Sequence, residues 1–136
     1  MKNLKILLIE DDEIEIMKLN RVISTLGFKH QLTRAANGEE AIECLKSPDT
    51  LPDIILLDLN MPKISGIEFL NILKNNSTLK YIPTVVLTTS SNYKDLMECY
   101  KIGIAGYIIK PLKYEDYVEK IKRTLQYWSV NELISV

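Results

Sequence analysis

The sequence predicts an α/β fold in which five parallel strands form a doubly wound sheet with helices on both faces. Short apolar runs alternate with segments of helical periodicity, and five such pairs follow one another along the chain. Its 136 residues suit one domain with one ordinary hydrophobic core. We therefore expect a parallel sheet rather than a sandwich or a helical bundle.

The strands are predicted where the apolar runs are short and rich in Ile, Leu and Val, as in strands that helices cover on both faces. They are Lys5–Ile9, Lys29–Ala35, Ile54–Leu57, Thr84–Thr88 and Gly106–Ile109. The second run is the polar exception, so we expect it at an edge of the sheet.

Helices are predicted where apolar residues recur at spacings of three and four. In the first helix these residues are Ile16, Leu19, Ile23 and Leu26, before the stop signal Gly27. The second, third and fourth helices are marked by Ala41 to Leu45, by Ile67 to Leu73, and by a weaker segment from about Asn92 to Lys101. The fifth carries the clearest stripe, which comprises Tyr114, Tyr117, Val118, Ile121, Leu125 and Trp128. We assign residues 1–128 to this domain and 129–136 to a short tail, and expect no output domain.

Composition excludes several classes of protein. Apolar residues make up 46% and charged residues 26% of the chain, which is globular composition, and the net charge of −1 offers no field for nucleic acid or a membrane surface. The run from Ile6 to Ile9 is too short for a signal or a membrane span. Cys44 and Cys99 lack metal-ligand spacing. We expect a cytoplasmic protein with reduced thiols.

Chemistry is expected at the carboxyl ends of the strands, where open parallel sheets bind their ligands. The residues at these ends are Glu10, Asp11 and Asp12 after strand one, Asp58 after strand three, Thr88 at the end of strand four, and Lys110 and Pro111 after strand five. One acid at a strand end is often only a helix N-cap. Acids, a hydroxyl and an ammonium at four strand ends are much harder to explain by capping.

The residue types of this cluster suit phosphoryl transfer. Crowded carboxylates repel each other unless a cation is present, and Mg²⁺ prefers oxygen ligands. A carboxylate can also accept a phosphoryl group covalently. Lys110 and Thr88 then supply donors for the charge that develops on the phosphoryl oxygens.

Five separated motifs resemble the CheY-like receiver domain of two-component response regulators, over roughly residues 4–126. They are Ile9-Glu10-Asp11, Leu57-Asp58-Leu59-Asn60-Met61-Pro62, the following Gly66, Thr88-Thr89, and Gly106-Tyr107-Ile108-Ile109-Lys110-Pro111. The resemblance implies strand order 2-1-3-4-5. It also implies a single-domain response regulator that takes a phosphoryl group from a sensor histidine kinase or phosphotransfer protein, with Mg²⁺, and switches a surface for a downstream protein target. Such a protein catalyses only its own phosphorylation and dephosphorylation.

The same resemblance implies a role for each site residue. Asp58 is the phosphoacceptor and a metal ligand, Asp11 a direct ligand, Glu10 a ligand through water, and the main-chain carbonyl of Asn60 the last protein ligand. Thr88 and Lys110 hold the phosphoryl oxygens, Tyr107 is a switch whose rotamer follows Thr88, and Lys110-Pro111 is a cis peptide. Many members have Asp where this chain has Glu10, which lengthens one acidic arm.

Neighbouring residues are given plainer interpretations. Asp12 is read as an N-terminal helix charge. Glu13, Glu15 and Lys18 are read as a solvated helix face, and His30 as a surface residue before an edge strand. Met61, Ile64 and Ile67 are read as packing residues rather than a substrate pocket.

Other functions remain to be weighed. A flavin phosphate would be repelled by Glu10, Asp11 and Asp12, and a haloacid-dehalogenase phosphatase would need a second Asp at Asn60. A receiver-like module that binds partners without phosphorylation stays open. The segment from Tyr127 to Leu133 is similar to the tail of regulators paired with phytochrome-type kinases. We expect a homodimer through helix four, strand five and helix five, extended by this tail; the alternative is a monomer that uses this face only for other proteins.

Overall fold

A computed structural model describes residues 2–61 and 63–134 of the chain. Five parallel strands form one sheet in the order β2-β1-β3-β4-β5. The strands are β1 (Lys5–Ile9), β2 (Gln31–Ala35), β3 (Ile54–Leu57), β4 (Thr84–Thr88) and β5 (Gly106–Ile109). The predicted fold class and strand order are confirmed, and β2 lies at an edge as expected.

Five α-helices connect and cover the strands. They are α1 (Glu13–Thr25), α2 (Gly38–Cys44), α3 (Gly66–Lys74), α4 (Tyr93–Ile102) and α5 (Tyr114–Ser129). Four begin at a polar side chain that accepts a hydrogen bond from a backbone N–H of the first turn, namely Asp12, Asn37, Ser65 and Asn92. Gly27, with φ of 72°, follows α1 in the left-handed conformation that its stop-signal role requires.

The two faces of the sheet carry two separate apolar cores. One core packs α1 and α5 against β1, β3 and β4, with Leu4, Leu19 and Leu125 fully buried. The other packs α2, α3 and α4 on the opposite face, around Phe69 and Leu70. The β3 side chains alternate between the two cores, which explains why its sequence is continuously apolar.

Strand β2 begins two residues later than predicted, because a side chain replaces its first backbone contacts. Nδ1 of His30 accepts a hydrogen bond from the N–H of Leu4 at 2.8 Å, and the ladder to β1 starts with the N–H of Gln31. His30 is half-buried beside the ring of Phe28. The expectation of a surface histidine is therefore wrong.

The expected cis peptide is also wrong, since no peptide bond among residues 2–61 and 63–134 is cis and Lys110 joins Pro111 in trans. Trans is the lower-energy form even before proline.

The tail folds back on its own domain at least in part. Trp128 and Leu133 pack against the core of α1 and α5, and the N–H of Lys2 donates to the carbonyl of Ser129 at 3.0 Å. Within the described residues, no helix has the length and apolar character needed to cross a membrane.

Candidate functional site

Two buried acids lie side by side at the carboxyl end of the sheet. Strands β1 and β3 are neighbours, and Ile9 is in register with Leu57, so the next residues, Glu10 and Asp58, emerge together. The N–H of Asp58 donates to the carbonyl of Ile9 at 3.0 Å, which carries the pairing to the site. Glu10 is 2% and Asp58 7% exposed. The sheet thus holds two carboxyl groups where water reaches poorly.

Asp11 joins these acids as an exposed third carboxylate. Side-chain oxygens of Glu10, Asp11 and Asp58 all lie within 4.8 Å of one another, an arrangement that could hold a metal ion. Burial raises the pKa of Glu10 to about 7, although the hydrogen bond and charge of Lys110 oppose that shift. Like charges at this spacing favour an oxygen-binding cation between them.

Asp12 stands apart from the cluster. Its Oδ1 accepts a hydrogen bond from the N–H of Ile14 at 2.9 Å, which makes Asp12 the N-cap of α1. Its own N–H lies 3.3 Å from Oε2 of Glu10 and donates to it. The prediction that Asp12 serves the helix rather than the acidic pair agrees with this geometry.

Lys110 places its ammonium among carboxylates. Its side chain is 6% exposed, and Nζ lies 2.6 Å from Oε1 of Glu10 and 3.5 Å from Oε2 of Glu15. Burial lowers the pKa of Lys110, but the hydrogen bond and charge of Glu10, with the charges of Asp58 and Glu15, outweigh it and raise the pKa. The ammonium is therefore fixed and fully charged beside the acidic cluster.

Thr88 and Tyr107 meet at one residue of the loop after β4. Oγ1 of the fully buried Thr88 accepts a hydrogen bond from the N–H of Ser90 at 3.3 Å. The hydroxyl of half-buried Tyr107 donates to the carbonyl of Ser90 at 3.0 Å. Oγ of Ser90 donates to Asp95 on α4 at 2.7 Å. Ser90 thus links the threonine, the tyrosine and the first turn of α4.

The loop after Asp58 packs closely on the start of α3. A Cβ added to Gly66 would lie 2.7 Å from Cα of Leu59 and 2.9 Å from the carbonyl oxygen of Asp58, so a larger residue here must displace the loop. Asn60 is exposed in this loop, and Met61, Ile64 and Ile67 pack on the adjacent core as predicted. Pro62 of the sequence motif lies outside the described residues.

Three residues of this site were missed or misread in the sequence. Glu15 and Lys18 are half-buried, so the expectation of a solvated face holds only for Glu13. A signal was available, since Glu15 lies four and seven residues before the buried Leu19 and Val22 on one stripe of α1. The role of Ser90 had no such signal, because it depends on a backbone carbonyl in a loop.

A family comparison decides the class of protein that carries this site. The model of the response regulator receiver domain matches residues 6–122. The chain belongs to the response regulator receiver family. The resemblance to the CheY-like receiver domain inferred from the motifs is confirmed.

Several relatives match over nearly their whole length. The probable methanogenesis regulatory protein FilR2 of Methanothrix harundinacea is 36% identical over 90% of this chain and 82% of its own. Response regulator Rcp1 of Synechocystis is 34% identical over 90% of this chain and 87% of its own.

Solved structures agree with the fold. The phosphorylated cyanobacterial phytochrome response regulator RcpA superposes with a TM-score of 0.90 at 33% identity, over 98% of this chain and 99% of its own. The Mn²⁺-bound form of Rcp1 gives 0.87 at 32% identity, over 96% of this chain and 99% of its own.

Proposed function

We propose that this receiver accepts a phosphoryl group on Asp58 in a Mg²⁺-dependent reaction and then switches a protein-binding surface. One observation carries the proposal: Asp58 is buried beside two further carboxylates, and its carboxylate receives no hydrogen bond from any described residue. The neighbouring Lys110 instead donates to Glu10 at 2.6 Å. A buried carboxylate that receives no hydrogen bond is available to accept a phosphoryl group.

The residues present fit a magnesium ion. Glu10, Asp11 and Asp58 offer carboxylate oxygens within 4.8 Å of one another, and the main-chain carbonyl of Asn60 follows two residues after the acceptor. Bound there, Mg²⁺ would neutralise charge on the acids and on the phosphoryl oxygens. The similar Rcp1 has a Mn²⁺-bound form, which supports the proposal that this receiver also binds a divalent cation.

The transfer itself needs few groups. An oxygen of Asp58 forms the new bond to phosphorus while the bond from phosphorus to the donor breaks, and the electron pair of that bond leaves with the donor. The donor is a phosphohistidine imidazole of a sensor histidine kinase or phosphotransfer protein. Lys110 donates N–H bonds to the phosphoryl oxygens. The hydroxyl of Thr88 can do the same, because its oxygen accepts from Ser90 and its proton is free to point into the site.

Tyr107 and Thr88 form the proposed switch. Both bond to Ser90, so a movement of Thr88 toward a phosphoryl oxygen changes the loop that Tyr107 holds. The surface that responds consists of α4, β5 and α5, which we name the output face. Its exposed apolar side chains include Tyr93, Met97, Tyr100, Ile109 and Tyr114. A downstream protein or a second copy of the chain, in the cytoplasm, would bind there.

Labelling with acetyl phosphate tests the acceptor. The wild-type protein should gain one phosphoryl group in intact-mass measurements with Mg²⁺ and none with EDTA, and Asp58→Asn should gain none in either. Full labelling of Asp58→Asn in Mg²⁺ would sink the assignment. An unlabelled wild type that still binds partners would instead favour the receiver-like module that works without phosphorylation.

A homodimer through the output face is the second part of the proposal. Tyr127, Val130 and Ile134 are exposed beyond this face and extend its apolar surface into the tail. Sedimentation with and without beryllofluoride, in the presence of Mg²⁺, measures the effect. We expect dimers that strengthen with beryllofluoride and weaken when residues 129–136 are deleted. Monomers in both states at high concentration would show that the face serves other proteins.

A further inference from the structure

Helix α1 places a glutamate, Glu15, close to Lys110 of the proposed phosphorylation site. Oε2 of Glu15 is buried and has no hydrogen-bond partner among the described residues, yet it lies 3.5 Å from Nζ of Lys110. The other oxygen, Oε1, lies 3.4 Å from Nζ of Lys18. An orphan carboxylate oxygen aimed at an ammonium is costly unless it serves that ammonium.

These charges form one chain from α5 to the acceptor. Nζ of Lys18 lies 4.4 Å from the ring centre of the buried Tyr117, so it is fixed over the aromatic face. Glu15 is held by Lys18 on one side and faces Lys110 on the other, and Lys110 donates to Glu10. Acids and lysines thus alternate along the inner side of α1.

Lys110 needs a second carboxylate partner, because its first partner, Glu10, also belongs to the acidic cluster. Glu10 belongs to the acidic cluster that fits a cation, and its charge would be shared with that cation. Burying an ammonium without a carboxylate partner is strongly unfavourable, because the charge loses its water and gains no opposite charge. Glu15 is the remaining carboxylate within 4 Å of Nζ in the described structure.

We infer that Glu15 is a positioning residue that holds Lys110 over the Asp58 carboxylate during phosphoryl transfer. The inference deepens the proposed function and depends on it. Glu15 touches neither the phosphoryl group nor the acceptor in this arrangement; it acts through Lys110. Losing its charge leaves the Lys110 ammonium to follow Glu10 alone, away from the position that the phosphoryl oxygens need.

The test compares the full-length protein with Glu15→Gln, Lys110→Met, the double variant and Glu13→Gln. Glutamine is isosteric with glutamate, so the fold should persist, and thermal melting checks this. The matched control is Glu13→Gln, since this substitution removes the same charge from the same helix at an exposed residue that pairs with Arg34. The first readout is the labelling rate of Asp58 at saturating acetyl phosphate and Mg²⁺. The second is the ¹H–¹⁵N ammonium signal of Lys110 in the metal-free protein, assigned by its loss in Lys110→Met.

Glu15→Gln should slow labelling about tenfold, a typical coupling for contacting charges, while Glu13→Gln stays within about twofold of wild type. In the Lys110→Met background the Glu15 change should add nothing, because its effect passes through the missing lysine. The ammonium signal should shift or broaden in Glu15→Gln alone. Equal labelling rates for Glu15→Gln and Glu13→Gln, or an undiminished effect in the double variant, overturn the positioning role. An unlabelled wild type overturns the proposed function, and this role with it, even if the ammonium signal responds.

Discussion

The two aspartates that flank β3 show how the ends of one sheet differ. Asp53, just before the strand, accepts a hydrogen bond from the N–H of Lys5 at 2.8 Å and lies 3.4 Å from Nζ of Lys2. Asp58, just after the strand, is more buried and faces two other acids. Only four residues separate these carboxylates. The Asp53 carboxylate has a hydrogen-bond donor and an ion-pair partner, whereas the Asp58 carboxylate receives no hydrogen bond from any described residue.

The difference extends to everything around them. The amino end of the sheet is closed by contacts of Lys2, Leu4, His30 and the tail. At the carboxyl end, Glu10 and Lys110 form a buried pair, and the acidic cluster has more negative charge than its lysine balances. The amino end therefore contributes stability, whereas the carboxyl end holds electrostatic repulsion that a ligand can relieve.

Truncating the core at the amino end should have the largest effect on stability. Leu4 is fully buried, so Leu4→Ala should lower the free energy of unfolding by about 2–5 kcal/mol. Asn3→Ala, at the exposed neighbouring residue, should change it by no more than about 0.5 kcal/mol. Urea titration measures both. A loss below about 1 kcal/mol for Leu4→Ala would mean that this end is not tightly closed.

The two ends should respond to pH in opposite directions in the metal-free protein. Burial raises the pKa of Glu10 from 4.5 to about 7. The stability that Glu10 adds to the folded state is therefore fully present below pH 4.5 and is lost as the pH rises through 7. The loss is at most about 3.5 kcal/mol, since each pKa unit corresponds to about 1.4 kcal/mol. The pKa of His30 is lowered by burial, so its contribution is present above pH 6.5 and is lost as pH falls through its folded value.

Variants assign each part of this profile. Glu10→Gln should remove the stability loss that accompanies rising pH, and His30→Asn, which keeps an acceptor for the N–H of Leu4, should remove the loss that accompanies falling pH. Urea titrations in EDTA between pH 4.5 and 8.5 measure the profile. If the stability of Glu10→Gln still falls as the pH rises from 4.5 to 7, the burial of Glu10 is not the source of that loss.

Mg²⁺ should raise the melting temperature through Asp11 and not through Asp12. At a concentration about ten times the dissociation constant, binding to the native state adds about 1.4 kcal/mol, or roughly 5 °C for a domain of this size. Asp11→Ala should abolish this rise. Asp12→Ala should lower stability by about 1 kcal/mol through the lost N-cap and keep the rise. The reverse pattern in thermal melts would shift the acidic pair by one residue.

The strands could be predicted from sequence because their apolar character depends on local composition. The predicted bounds are correct for β1, β3, β4 and β5. Strands that helices cover on both faces contain few polar residues that would obscure where they begin and end. The start of β2 was wrong because the His30 side chain competes for a backbone N–H, which no periodicity records. The trans Lys110-Pro111 bond likewise departs from what the resemblance implied.

The site could be located but not fully described from sequence. Residues after strand ends converge by topology alone, which is why Glu10, Asp58, Thr88 and Lys110 were found. Which of these contact each other depends on side-chain reach. Lys110 was expected to serve the phosphoryl group, and the structure places its ammonium between Glu10 and Glu15. Glu15 was misread because charge alone suggested solvent.

Locating the acyl phosphate at Asp58, just after β3, tests the central claim most directly. The protein is phosphorylated by a phosphohistidine donor in Mg²⁺, the acyl phosphate is reduced with borohydride, and peptides are sequenced by mass spectrometry for homoserine in place of aspartate. We predict homoserine at Asp58 and at no other acid, with Asp53 unmodified in the same peptide map and no conversion in EDTA. Homoserine at Asp53 or Asp11, or conversion that does not need Mg²⁺, would contradict the account.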